Sequence, residues 1–160
     1  MEKGNEYIAK RIKWKADKYS LPTEFSFFFN ELSSDKISSY KQLLEGRDIG
    51  FPVLFFQATN NRWTILGTQK IVWDDGLKVN DLSLENIEIV TSGSLDRHRK
   101  LGQSNLKVFK TNDLKKAEME DLAIYDSDGN LYNLYAWKGS DLFSLWNILL
   151  MAIKLNKKSN

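Results

Sequence analysis

Three short apolar runs, at residues 53–57, 63–66 and 71–73, are separated by Thr59-Asn60-Asn61 and Gly67-Thr68-Gln69. Runs of that length between turn-prone residues predict an antiparallel meander. The stretch 53–58 is nearly all apolar, so it reads as a strand buried on both faces. In 63–66, Trp63 and Ile65 alternate with Thr64 and Leu66, which places the two pairs on opposite sides of a sheet. A third strand is expected at 70–74, a turn at Asp75-Gly76, a short fourth strand at 77–80 and a fifth near 87–91. Residues 92–105 read as a long exposed loop, 106–110 as an edge strand with protective lysines, and 111–116 as another loop. The clearest hairpin follows: 119–125 and 131–137 flank Asp126-Ser127-Asp128-Gly129-Asn130, and Asp-Gly between apolar runs favours a tight turn.

Elsewhere the period is helical. Leu142, Leu145, Trp146, Leu149, Leu150 and Ile153 make a wide stripe, broadened by Phe143, Ile148 and Met151. Ser140 fits an N-cap and Asp141 the first turn, while Lys154, Lys157 and Lys158 suit the negative end of the dipole. Near the start, 5–19 reads as a helix with Ile8, Ile12, Lys15 and Tyr19 on one stripe. Tyr7 and Trp14 are expected to widen its apolar side, with Lys10, Arg11, Lys13 and Lys18 on other faces. Ser20-Leu21-Pro22-Thr23 breaks it. The run Phe25, Phe27, Phe28, Phe29 suits a short buried helix or a strand; Asn30-Glu31-Leu32 continues the helical alternative, which is the expectation. Ser34 or Asp35 then caps a helix over 36–45, with Ile37, Tyr40, Leu43 and Leu44 at helical spacing and Gly46 at C′.

These elements give an α+β chain: a helical N-terminal extension over 1–50, then an antiparallel barrel or sandwich of six to seven strands over 51–160, sealed by the C-terminal helix. The two parts are expected to form one compact unit. Each large side chain on the last helix contributes about 1.5–3 kcal/mol when buried, so that helix should be integral.

The stretches WTILGTQKIVW, LAIYDSDGNLYNLYAW and SDLFSLWNILLMAI, in that order and with a DG turn after the first, resemble a pleckstrin-homology-like domain of bacterial type over residues 51–156. The resemblance implies a small antiparallel barrel closed by its last helix, and a binding rather than a catalytic role. Phosphoinositide-binding members concentrate Lys and Arg around the first hairpin loop; here that loop, 58–62, offers Arg62.

Composition adds limits. With 160 residues, 42% hydrophobic and 28% charged, the chain suits one globular domain. Absence of Cys removes disulfides, thiolate metal sites and a Cys nucleophile. MEKGNEYIAK contains no apolar targeting core, and the apolar stretch 142–155 is interrupted by Ser144, Asn147 and Lys154. No signal peptide or transmembrane segment is therefore expected, which makes a cytoplasmic location the default. The net charge is only +2, but six basic and three acidic residues fall in 1–18, seven basic and two acidic in 94–116, and one basic and six acidic in 117–153.

Candidate chemistry is sparse. Counting from Asp126, the sixth and twelfth positions are Leu131 and Trp137, not the Gly and Glu that a calcium loop needs. The single His98 lies in Asp96-Arg97-His98-Arg99-Lys100, where neighbouring cations oppose its protonation. Asp74-Asp75 and Glu118, Glu120, Asp121 are carboxylates adjacent in sequence, and strand neighbours face opposite ways. Trp63, Trp73, Trp137 and Trp146 suit a core or a pocket lining. No phosphate-binding or nucleophile-elbow motif occurs.

The expectation is a non-catalytic binding or adaptor module with a protein partner, compatible with an immunity-type role, and with no cofactor or metal. Partner or anion contacts are assigned to Arg62, Arg97, His98, Arg99, Lys100, Lys10, Arg11 and Lys13. An alternative is peripheral binding to anionic lipid through the first helix and 94–116. Nucleic acid is a further basic-patch partner, and a phosphate-ester hydrolase or nuclease around His98 is the third reading.

Overall fold

The computed structural model describes residues 4–92 and 119–157. The expected edge strand at 106–110 and the loops beside it lie outside the described residues, apart from Ser92.

Helix α1 (Asn5–Lys18) is followed by strand β1 (Ser26–Phe28), a 3-10 turn (Phe29–Glu31) and helix α2 (Ser34–Leu44). The meander comes next: β2 (Pro52–Gln57), β3 (Trp63–Gly67), β4 (Lys70–Asp74) and β5 (Val79–Ser83). Strands β6 (Ile87–Thr91), β7 (Leu122–Asp126) and β8 (Leu131–Leu134) lead to helix α3 (Ser140–Asn156). Every strand pair is antiparallel, in a five-stranded sheet ordered β1-β2-β3-β4-β5 and a three-stranded sheet ordered β6-β7-β8. The chain is thus α+β with a C-terminal helix. Among the described residues, ladder hydrogen bonds do not join the sheets into a closed barrel.

The period of two in β2, β3 and β4 decides how the layers stack. Leu54, Phe56, Leu66, Ile71 and Trp73 face a core shared with Ile8, Ile12 and Ala16 of α1, the second sheet, and Leu142, Leu145 and Leu149 of α3. Phe55, Trp63, Ile65 and Val72 face a second core with Phe29, Leu32, Leu44 and Ile49, roofed by Tyr40 and Ile37 of α2. The middle of the large sheet is therefore buried on both faces, which accounts for the near-absence of polar residues in β2. At the β3–β4 turn, Gly67 passes so close to Ile49 that a Cβ would come 2.6 Å from its carbonyl oxygen.

Several boundaries differ from expectation. The phenylalanine run is a strand at Ser26–Phe28, because Phe27 and Phe28 pair with Phe55 and Leu54 along the otherwise open edge of β2. Only the next three residues turn helically. The α2 cap is Ser33, whose Oγ accepts from the Lys36 N–H at 3.3 Å. The fourth strand of the meander begins at Val79, since Asp75 Oδ1 accepts from the N–H groups of Leu77 and Lys78 and holds them in the turn. At α3 the N-cap position belongs to Gly139, at φ +90, and Ser140 is the first helical residue.

Candidate docking face

Which side of α1 meets solvent is set by two alanines. The helix buries Ile8, Ala9, Ile12 and Ala16. Ala9 and Ala16 are small enough for its backbone to approach the core closely. With ~100° between successive residues, Tyr7, Arg11, Trp14 and Lys18 then fall within roughly a 60° arc on the opposite side. Tyr7 is 47% exposed and Trp14 is 45% exposed. This corrects the expectation that both widen the apolar side; the buried stripe of Ile8 and Ile12 is widened instead by Ala9 and Ala16.

On that outer arc the charges organise the ring. The Arg11 guanidinium carbon sits 4.5 Å from the centre of the Trp14 ring, and Lys18 Nζ sits 5.1 Å from it. Both lie within the range of a cation–π attraction. Lys10 and Lys13 are exposed on one flank of the arc. Lys15 lies on the other flank, with Nζ 5.9 Å from the centre of the Tyr19 ring. The result is a ridge with an aromatic crest and cationic sides.

Both ends of the ridge are fixed. At the first turn, Asn5 Oδ1 accepts from Thr68 Oγ1 at 2.7 Å and from Gln69 Nε2 at 2.9 Å. Thr68 Oγ1 accepts in turn from the Phe51 N–H at 2.9 Å, and the Thr68 carbonyl accepts from Asn156 Nδ2 of α3 at 2.8 Å. At the far end the N–H groups of Tyr19 and Leu21 return to the Ala16 carbonyl, and the Tyr19 ring meets Phe143 of α3 edge-on.

The other residues assigned to contacts are distributed differently. Lys10 and Lys13 share one flank of α1, and Arg11 lies on its outer arc against Trp14. Arg62 is placed just before β3, with its guanidinium carbon 5.0 Å from the centre of the Tyr135 ring. Its Nε is buried without a hydrogen-bond partner beside the Gly76 turn. Arg97, His98, Arg99 and Lys100 lie outside the described residues. Sequence reasoning missed the Trp14 crest, although its signal was present: Tyr7, Arg11, Trp14 and Lys18 are spaced 4, 3 and 4.

Four aspartates serve local structure. Asp74 Oδ1 accepts from the Gly76 N–H. For Asp75, the N–H groups of Lys78 and Leu77 hold the carboxyl below its usual range against a smaller opposing effect of burial. Burial opposes the charge on Asp126 as well, but donors from Asn130, Asp128 and Tyr132 outweigh it and lower its pKa. The hairpin turn at 126–130 is thus built around one carboxylate. Asp141 differs: burial pushes its pKa up, although Thr23 Oγ1 donates to it at 3.0 Å. Trp63, Trp73 and Trp146 are core residues, and Trp137 stacks on Phe25 with ring centres 3.7 Å apart. Among the described residues, no three His, Cys, Asp or Glu side chains are grouped as metal ligands, and no helix is long and apolar enough to cross a membrane.

Comparison with family models, with curated proteins and with solved structures gives no match.

Proposed function

We propose that the chain is a non-catalytic binding module that docks on a larger partner through the outer face of α1. One observation carries this reading: Trp14 stands at the surface, gripped by Arg11 and Lys18, on a helix whose opposite side is locked into the core. An aromatic residue held in one orientation loses little freedom on binding and brings apolar area and charge to the same contact. The pleckstrin-homology-like reading belongs to the same proposal. Its support is that, among the described residues, β2–β8 supply seven strands, four in one sheet and three in the other, before α3. The docking helix then lies in the extension outside that unit.

Amine footprinting tests the proposal. Lys10 and Lys13 should be acylated more slowly in cells than in the purified protein, while Lys36 and Lys41 of α2, also exposed, react alike in both. Equal reactivity of Lys10 and Lys13 in the two settings refutes it.

A second reading, a protein contact on the small sheet, is favoured by one cross-strand row. Ile89, Tyr125 and Leu131 are in register, and Ile89 and Leu131 are 54% and 53% exposed. In this reading I89K together with L131K abolishes co-purification of a protein partner without unfolding the chain, and unchanged co-purification rejects it.

A further inference from the structure

We infer that the occupant of the α1 face is an anionic membrane surface, an inference that rests on α1 being the contact face. Charge complementarity is the first argument. Lys10, Arg11, Lys13, Lys15 and Lys18 stand against only Glu6 and Asp17 on the helix. Cations held near a negatively charged lipid surface attract it cumulatively, and the attraction fades over a Debye length.

The aromatics supply the second argument. Trp and Tyr combine an apolar body with a polar tip and concentrate at the headgroup level of bilayers. Here Tyr7 and Trp14 are seven residues apart, about 10 Å along the helix axis, so one plane touches both. The cations flank that line on both sides, with Lys10 and Lys13 opposite Lys15. A flat charged sheet engages such a ridge along its full length.

The way α1 is packed fixes the kind of contact. Its apolar stripe, Ile8, Ile12 and Ala16, is committed to the protein core, so the helix does not sink into the acyl region as a free amphipathic helix does. Binding is shallow, reversible and dominated by charge. Each removed cation should weaken partitioning by about fivefold.

Sedimentation of the full chain with vesicles of mixed phosphatidylglycerol and phosphatidylcholine, at low and at physiological salt, tests the inference. Expected are binding to anionic vesicles at low salt, weaker binding at physiological salt, and none to pure phosphatidylcholine. K10E/K13E should weaken binding by at least about 25-fold, and W14A should also weaken it. K36E/K41E on α2 changes net charge equally and should leave binding within about twofold. Circular dichroism and thermal melting establish that each variant is folded. No binding to anionic vesicles at low salt overturns the inference, and so does an equal loss in the two charge-reversal variants. If vesicles fail while Lys10 and Lys13 remain protected in cells, the membrane is excluded and the contact face stands with an acidic protein on it. If the protection is also missing, both proposals fail.

Discussion

The side-chain hydroxyl of Thr64 bonds to both backbone polar groups of Tyr135. Its Oγ1 accepts from the Tyr135 N–H at 3.1 Å and donates to the Tyr135 carbonyl. Thr64 is fully buried in β3, and Tyr135 directly follows β8, so one side chain stitches the large sheet to the end of the small one. T64V keeps the shape and removes the hydroxyl, leaving the stitch unmade. The expected loss of stability is about 2–4 kcal/mol. T64S, which keeps the hydroxyl, should lose only about 1 kcal/mol for the missing methyl. Urea unfolding of the two variants checks this; an equal loss in both rejects the stitch.

Asn5 is the corresponding fixture for α1. Because its Oδ1 accepts from both Thr68 and Gln69, N5A removes two bonds and should cost about 1–2 kcal/mol. The specific signature is local: amide exchange in the first turn of α1 should accelerate more than in α3. N5D retains an acceptor and should preserve the slow exchange.

Asp141 sets a pH dependence whose sign is unusual for a carboxylate. Burial raises its folded pKa above the unfolded value. Its contribution is therefore fully present below the ordinary carboxylate range and is lost as pH rises through the folded pKa. Asp126, with a lowered pKa, acts oppositely: its contribution is present above the unfolded value and lost on acidification. D141N is neutral throughout. The stability of the wild type relative to D141N should thus fall as pH is raised from about 4 towards neutrality. Unfolding curves across that span measure it, and a difference that grows with pH contradicts the assignment.

The legible parts of the fold were those where a period and a turn residue agreed. The double burial of β2, the alternation of Trp63 and Ile65 with Thr64 and Leu66, and the hairpin around Gly129 all follow from residue type and spacing. Failures came where tertiary partners decide. The phenylalanine run is too short for its period to distinguish helix from strand, and the open edge of β2 selected the strand. Leu77, apolar by type, is 95% exposed in a turn where its N–H donates to Asp75 Oδ1. On α1, side-chain size misled: Trp14 and Tyr7 outrank alanine in hydrophobicity, yet close packing favoured Ala9 and Ala16. The exposure of Lys10 and Lys13 was legible, but that of the Trp14 ring was not.

Photo-crosslinking tests the docking face most directly. A benzophenone amino acid is placed at position 14 and, as a control, at position 77, whose side chain is almost fully exposed. Irradiation in cells should give abundant adducts from position 14 and only background from position 77. Equal yields at the two positions would contradict α1 as the contact face.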